Sequence, residues 1–201
     1  MKLYYSPGAC SLSPHITARE AGVEIELEKV DLATRKTESG EDFNEINSKG
    51  YVPALRLDNG EILTEGPVIV QYIADQVPDK QLIPQKGTME RYRTEEWLLF
   101  ITSELHKPFG SLFRQDLPDS ERELTIKRLA KRFEYIDVAL KGKQFLMGDA
   151  FTVSDGYLFT ILTWAQPSGI DIAQYPELVQ YMNRVGMRPA VQTALKEEGL
   201  V

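Results

Sequence analysis

The stretch of sequence that most limits the possible folds is residues 2–22, KLYYSPGACSLSPHITAREAG. An apolar run at residues 3–5 meets a Ser-Pro-Gly breaker at residues 6–8, and Cys10 follows before a helical pattern begins. The first amides of a helix lack internal partners and favour negative charge nearby. We therefore predict that Cys10 lies at a strand-to-helix junction that lowers the pKa of its thiol.

The alternative for Cys10, the only cysteine of the chain, is a small buried core residue. Its neighbours Gly8, Ser11 and Ser13 are small or polar rather than core-like, which favours a thiol or anion site. Ser11 and Ser13 are also predicted to cap the first amides of the helix. These residues alone do not predict a function more specific than a thiol or anion site.

Composition limits the class of protein. With 201 residues and 42% apolar content, the chain is long enough for two small domains with packed cores. The net charge of -7 argues against general binding to nucleic acid or anionic membranes. A single cysteine allows no intrachain disulfide, and neither a signal peptide nor a bilayer-spanning run is recognisable. We therefore expect a soluble cytoplasmic protein.

The first part of the chain has the pattern of an α/β domain. Residues 23–28 alternate apolar and acidic side chains, so a strand, a helix and a second strand form a βαβ unit. Residues 33–50 are polar and predict an irregular segment with one short helix at residues 42–47. A third strand is expected at residues 51–57 and a fourth at 61–64, joined by an Asp-Asn-Gly hairpin turn.

Three features of this part are candidates for ligand binding. Pro53 at a strand entry leaves the Val52 backbone free to pair with a bound peptide, particularly if the bond between them is cis; a simple edge-strand proline is the alternative. Pro67 predicts a helix start capped by Glu65 or Gly66, where Glu65 could hold an ammonium group or merely complement the helix dipole. Arg35 is a candidate cation, or an ordinary solvated residue.

Beyond a linker at residues 78–86, the sequence predicts only helices. The first spans residues 88–113, with Pro108 expected to kink or end it just past His106. A second helix runs from residue 119 or 120 to about 141. Thr152 and Asp155 form a variant of the capping box, for which we predict a structural role. Two shorter helices follow, near residues 176–185 and 189–197.

Five stretches together resemble the cytosolic glutathione S-transferases, specifically the bacterial beta class: YYSPGACSLSPHI, GYVPAL, LTEGP, WLLFITSELHKPF and FTVSDGYLFT. The resemblance implies a thioredoxin-like α/β N-terminal domain (βαβαββα) at residues 1–77, the linker at 78–86, and an all-α C-terminal domain at 87–201. It also implies a homodimer that acts in detoxification, with glutathione as co-substrate, a small hydrophobic electrophile as second substrate, and no metal.

The resemblance assigns roles to individual residues. It implies that Cys10 and His106 are catalytic and flank the sulfur of glutathione. The implied glutathione-binding residues are Cys10, Arg35, Val52, Pro53, Glu65, Gly66, Ser103, Glu104 and His106, with Glu104 reaching the glutathione of the partner subunit. The implied electrophile pocket consists of Tyr5, Ser11, Lys107 and Trp164. Leu99, where relatives often have asparagine, and Pro108 depart from the family pattern.

Simple chemistry agrees with these roles. Glutathione carries an ammonium group and two carboxylates, which call for an acid, a helix start and a cation; Glu65, Gly66 and Arg35 supply them. The ionised thiol of glutathione would then attack an electrophilic carbon. Thiol-disulfide exchange at Cys10 or peroxidase activity stays open, and the non-enzyme alternative is a glutathione-fold binding or scaffold protein. The second histidine, His15, is predicted to be structural.

Overall fold

The computed structural model describes Met1–Val201, which form two compact units: Met1–Ile83 with Arg188–Val201, and Pro84–Met187. The elements of the first unit are β1 (Lys2–Tyr5), α1 (Leu12–Ala21), β2 (Glu26–Asp31), β3 (Lys36–Thr37), α2 (Phe43–Ile46), β4 (Ala54–Arg56), β5 (Ile62–Thr64), α3 (Gly66–Asp75) and a 3-10 turn (Pro78–Lys80). Those of the second unit are α4 (Met89–Phe100), a π-helical turn (Ile101–His106), α5 (Lys107–Leu112), α6 (Asp119–Leu140), α7 (Val153–Leu162) and α8 (Pro176–Gly186). The chain ends with α9 (Pro189–Glu197), which belongs to the first unit.

The first unit is built on a five-stranded sheet in the order β3-β2-β1-β4-β5. β1 pairs in parallel with β2 and antiparallel with β4, so that Leu3 lies opposite Leu27 on one side and Leu55 on the other. This arrangement confirms the predicted thioredoxin-like fold. It adds the two-residue strand β3 to the predicted βαβαββα order, within a segment that was expected to be irregular.

The second strand begins later than predicted, at residue 26 rather than 23. Gly22 adopts the left-handed conformation (φ 67°) at the end of α1, and the Val23 amide donates to the Ala18 carbonyl oxygen. Val23 therefore completes the helix cap and is not available to the sheet. The pairing with β1, rather than the local alternation of side chains, sets where β2 begins.

Ser11 and Ser13 do not cap α1, contrary to the prediction. Ser11 precedes the helix in a helical conformation, and its hydroxyl group donates to the Ser6 carbonyl oxygen at 3.2 Å while accepting from the Ser6 amide at 3.1 Å. The Ser13 hydroxyl group is buried without a hydrogen-bond partner. Ser11 thus stabilises the turn that carries Cys10 rather than the helix itself.

The last helix returns to the first unit instead of remaining with the other helices as the predicted limit 87–201 implied. It packs against α1. Both ring nitrogens of the buried His15 face carboxylates of this segment, Nδ1 at 2.9 Å from Glu198 and Nε2 at 2.7 Å from Glu197. The limits of the domains as independent folding units stay a prediction.

The second unit is helical, as predicted. Pro108 does not end the first long helix, which continues as α5 to Leu112. The backbone instead widens into the π-helical turn just before this proline. Since proline lacks an amide hydrogen and its ring clashes with the carbonyl group four residues earlier, a wider turn accommodates it without breaking the helix.

The capping box at the start of α7 is present as predicted. Asp155 is fully buried, and its carboxylate accepts from the amides of Leu146 and Thr152 at 2.9 and 2.8 Å and from the Tyr181 hydroxyl group at 3.1 Å. Its pKa is nevertheless raised to about 6, because burial penalises the charged form more than these hydrogen bonds favour it. None of the helices combines the length and the apolar character needed to cross a membrane.

Candidate functional site

Cys10 lies two residues before the first residue of α1 and is partly buried. Its Sγ–H group donates to the Val52 carbonyl oxygen at 3.3 Å. Burial raises the pKa of the thiol to about 12; the amides of Cys10 and Ser11 lower it, but by less. The prediction of a lowered pKa was therefore wrong, although the amides on which it relied are present.

The Val52-Pro53 peptide bond is cis. Both residues lie before the first residue of β4, and both are buried. Because the ladder with neighbouring strands starts at Ala54, the Val52 carbonyl oxygen is free to accept the hydrogen of Cys10. The Val52 carbonyl oxygen thus pairs with Cys10 rather than with a neighbouring strand, and pairing of the Val52 backbone with a bound peptide stays a prediction.

Glu65 immediately precedes α3, whose first residue is Gly66. It has φ 69° and ψ 109°, a conformation that L residues rarely adopt and that is often found at functional sites. Its exposed carboxylate accepts from Lys49 Nζ at 2.6 Å and from the Tyr51 hydroxyl group at 3.1 Å. The acid therefore holds the ammonium group of Lys49.

Sequence analysis did not identify Lys49 and Tyr51. The polar side chains that flank Gly50, directly before the Val-Pro pair, are the signal that could have indicated them. The bond to Glu65 raises the pKa of Lys49. Partial burial is the main cause of a raised pKa at Tyr51, and the bond to Glu65 is the second cause. Both side chains adjoin the acid predicted to bind a ligand.

Arg35 is exposed and lies in the connection between β2 and β3 with φ 58°. Its amide donates to the Asp31 carbonyl oxygen at 2.8 Å, and its own carbonyl oxygen accepts from Phe43 at 2.8 Å. A Cβ atom built on Gly50 would lie 3.5 Å from Nη1 of Arg35. The guanidinium group therefore extends to the segment that also carries Lys49.

The two first-unit residues predicted for the electrophile pocket, Tyr5 and Ser11, are both buried. The Tyr5 ring packs against His15 with a centroid distance of 6.3 Å, and burial raises the pKa of its hydroxyl group. The Ser11 hydroxyl group both accepts from the Ser6 amide and donates to the Ser6 carbonyl oxygen. Their place in an electrophile pocket stays a prediction.

In the second unit, His106 ends the π-helical turn and is partly buried. Its Nδ1 lies 2.6 Å from the hydroxyl oxygen of Tyr157, a residue of α7 that sequence analysis assigned no function. Trp164 packs edge-on against the imidazole at a centroid distance of 5.1 Å, and it also contacts Phe109 and Phe113. An aromatic cluster of Tyr157, Trp164, Phe109 and Phe113 thus surrounds one side of His106.

The remaining predicted residues of this unit lie on or beside the π-helical turn. Ser103 is exposed and donates to the Leu99 carbonyl oxygen at 3.1 Å. Glu104 pairs with Arg132, whose Nε lies 2.6 Å from the carboxylate; no local pattern in the sequence links these two residues. Lys107 is exposed, as is Leu99.

The fold and these two sets of residues define a class of protein: a thioredoxin-like unit with a cysteine before its first helix and a cis proline, joined in one chain to a helical unit. Residues 8–76 match the family described as glutathione S-transferase, N-terminal domain, and residues 100–189 match glutathione S-transferase, C-terminal domain. Glutathione S-transferase GstA of Escherichia coli O157:H7 is 46% identical over 200 residues, covering 100% of both chains. The chain therefore belongs to the glutathione S-transferase family, as predicted.

Solved structures agree with this assignment. BphK, a bacterial glutathione S-transferase in a ternary complex, matches with a TM-score of 0.98 and 52% identity. A sphingomonad glutathione S-transferase complexed with glutathione gives 0.96 and 48%, and the bacterial beta class enzyme of Sphingomonas chungbukensis gives 0.97 and 49%. Each match covers 100% of both chains. These relatives support transferase activity rather than the non-catalytic alternative.

Proposed function

We propose that this protein conjugates the thiolate of glutathione to small hydrophobic electrophiles. The observation that carries the proposal is the acid site of the first unit: Glu65 has a strained backbone at the start of α3 and already binds the ammonium group of Lys49. A carboxylate that holds a lysine ammonium group suits the α-ammonium group of a γ-glutamyl residue equally well.

The rest of the glutathione tripeptide would bind to residues of the same first unit. The Gly66 amide, at the start of α3, suits the γ-glutamyl carboxylate, since Pro67 has no amide hydrogen and the Val68 and Ile69 amides donate to the Glu65 carbonyl oxygen. The backbone of Val52, beside Pro53, would pair with the cysteinyl residue in place of its present bond to Cys10. Arg35 would bind the glycyl carboxylate, since its guanidinium group presents a bidentate donor.

We propose that the glutathione thiolate, not Cys10, is the nucleophile. A thiol with a pKa of about 12 is protonated at neutral pH and can act as a hydrogen-bond donor to a neighbouring thiolate. His106 would serve as a second donor to the same sulfur, with Ser103 beside it. The raised pKa of Cys10 argues against a first attack by Cys10 on disulfides, so thiol-disulfide exchange is the less favoured activity.

The electrophile would contact apolar side chains. Trp164 and the exposed ring of Phe113 provide an apolar surface in the second unit. Lys107, directly after the π-helical turn, is an exposed cation. Tyr5 and Ser11 complete the set predicted for this pocket. These residue types suit an aromatic or otherwise hydrophobic electrophile whose departing group gains negative charge.

We also propose a homodimer in the cytoplasm that requires no metal. Trp97, Phe100 and Tyr135 form an aromatic patch with centroid distances of 5.2 to 5.9 Å, and Tyr135 is largely exposed. Exposed apolar patches of this kind often mark protein interfaces. In a dimer, Glu104 would leave Arg132 to reach the glutathione of the partner subunit. Light scattering after size-exclusion chromatography tests the dimer.

The substitution Glu65→Gln tests the glutathione site. Isothermal titration should show a loss of affinity of about 1.5 kcal/mol, close to tenfold, at the lower end of the range for a hydrogen bond to a charged group. The loss is small because the ligand ammonium replaces an existing bond to Lys49. Glu61→Gln, which removes an exposed carboxylate from the neighbouring strand connection, is the matched control. Equal affinities of wild type and Glu65→Gln would remove Glu65 from the site.

A further inference from the structure

The hydroxyl group of Tyr157 is placed to control the proton on His106. Tyr157 is almost completely buried within α7, so its ring cannot turn away to solvent. Its hydroxyl oxygen lies 2.6 Å from His106 Nδ1 and 3.4 Å from Thr102 Oγ1. The two rings meet edge-on with an interplanar angle of 80°, which keeps the imidazole plane fixed relative to the phenol.

The distances indicate the direction of the hydrogen bond. Thr102 donates its hydroxyl hydrogen to the Leu98 carbonyl oxygen at 2.7 Å, so its oxygen can only accept and competes with His106 Nδ1 for the single hydrogen of the Tyr157 hydroxyl group. His106 Nδ1 lies 2.6 Å from the Tyr157 hydroxyl oxygen, whereas Thr102 Oγ1 lies 3.4 Å away, which is long for a hydrogen bond. We take the nearer acceptor, Nδ1 of His106, to receive the hydrogen of the Tyr157 hydroxyl group.

A neutral imidazole that accepts at Nδ1 must carry its hydrogen on Nε2. We propose that Tyr157 is a positioning residue that holds His106 in the Nε2–H tautomer, so that Nε2 acts as the hydrogen-bond donor during conjugation. The catalytic consequence rests on the proposed glutathione transferase function, but the tautomer does not. Trp164 also helps to hold the imidazole ring of His106 in place, because its edge-on contact at 5.1 Å restricts rotation of that ring.

The tautomer can be observed directly because the chain has only two histidines. Long-range proton-nitrogen correlation spectra of the labelled full-length protein, recorded at a pH where the ring is neutral, separate the two tautomers. The His106→Gln variant identifies the signals of His106. We expect the wild-type ring to carry its hydrogen on Nε2 with Nδ1 as acceptor. A wild-type ring with its hydrogen on Nδ1 would overturn the proposal, whatever the variants do.

The variant Tyr157→Phe removes the hydroxyl group and keeps the ring. It should populate both tautomers and lose about tenfold in kcat/KM for conjugation, less than the roughly hundredfold that removal of a positioned proton donor costs. Tyr175→Phe is the matched control, since the Tyr175 hydroxyl group of the same unit donates only to a backbone carbonyl oxygen, that of Ala130. It should leave the His106 spectrum and kcat/KM unchanged.

The failure of this proposal differs from the failure of the proposed function. If wild-type protein does not conjugate glutathione, the function is wrong, and the spectra still decide the tautomer. If wild type conjugates glutathione but Tyr157→Phe keeps both the Nε2–H tautomer and the full kcat/KM, the role of Tyr157 is wrong. A loss of activity in Tyr157→Phe without a change of tautomer would also contradict it.

Discussion

The thiol of Cys10 donates its hydrogen to the Val52 carbonyl oxygen, and burial raises its pKa to about 12. Both effects favour the protonated form. The first amides near α1 favour the thiolate, yet the loss of hydration on burial outweighs them. A bound anionic sulfur that accepts this hydrogen in place of the Val52 carbonyl oxygen would also favour the protonated form of Cys10.

This protonation state predicts slow alkylation of the ligand-free protein. The thiolate reacts with iodoacetamide, and the thiolate fraction below the pKa falls tenfold per pH unit. A pKa of about 12 rather than the usual ~8.5 therefore predicts labelling of Cys10 slower by about a thousandfold at pH 8. Mass spectrometry over time measures the rate, and the same chain unfolded in urea is the control. Equal rates in both states would contradict the assigned protonation.

Much of this site was predicted from the sequence, and the features that were missed depend on the tertiary structure. Cys10, Val52 and Glu65 were predicted from local signals: a breaker before a helix, a Val-Pro pair and a Gly-Pro helix start. Lys49 was missed because its partner, Glu65, is brought to it by the β4-β5 hairpin rather than by adjacency in the sequence. The sign of the Cys10 shift was missed because burial is not visible in neighbouring residues.

At the scale of elements, helices that are stabilised by local capping and periodicity were predicted well. The long helix α6 begins at Asp119, and its predicted apolar stripe is buried, from Leu129 to Leu140. The short strand β3 and the π-helical turn at Ile101–His106 were not predicted. The strand depends on its pairing with β2, and the wide turn depends on how the helix accommodates Pro108.

Asp155 at the start of α7 predicts an unusual dependence of stability on pH. Its pKa is raised from 3.8 to about 6, so the folded state holds the proton more tightly than the unfolded chain. The stability that this group contributes is full below the unfolded pKa and is lost as pH rises through about 6. As pH rises from below 3.8 to above about 6, wild type should therefore lose about 3 kcal/mol of unfolding free energy relative to Asp155→Asn.

Urea denaturation of wild type and Asp155→Asn at a series of pH values measures this difference. Asp149→Asn, which neutralises an exposed carboxylate of the same segment, is the control and should track wild type. The amides of Leu146 and Thr152 oppose the effect of burial because they favour the charged form. If they outweighed burial, the advantage of wild type would grow with pH instead of falling.

At the scale of the whole molecule, the return of α9 to the first unit is the feature that the sequence did not reveal. Its periodicity predicts a helix but not the surface on which the helix packs. His15, predicted to be structural, lies between Glu197 and Glu198 of this terminal segment. Glu198 also accepts from the Gly8 amide at 2.9 Å, so the end of the chain holds the turn that precedes Cys10.

Glu198→Ala should therefore weaken both the fold of the first unit and the protection of Cys10. The side chains of His15 and Glu198 are fully enclosed, and breaking a buried pair leaves an uncompensated polar group, which costs about 3–5 kcal/mol. Glu197→Ala is the matched control: it also removes a partner of a buried His15 nitrogen, but its carboxylate is partly exposed, so it should cost less, about 1–3 kcal/mol. Urea denaturation measures both losses.

The same variant links the terminal helix to the thiol. Without Glu198 the Gly8 amide loses its acceptor, so the turn before Cys10 should open more often and iodoacetamide should label Cys10 faster than in wild type. Glu197→Ala should label at nearly the wild-type rate, because Glu198 still holds Gly8 in that variant. Equal losses of stability in the two variants, or unchanged labelling in Glu198→Ala, would show that α9 does not fix this turn, and the bond from Gly8 would then be incidental.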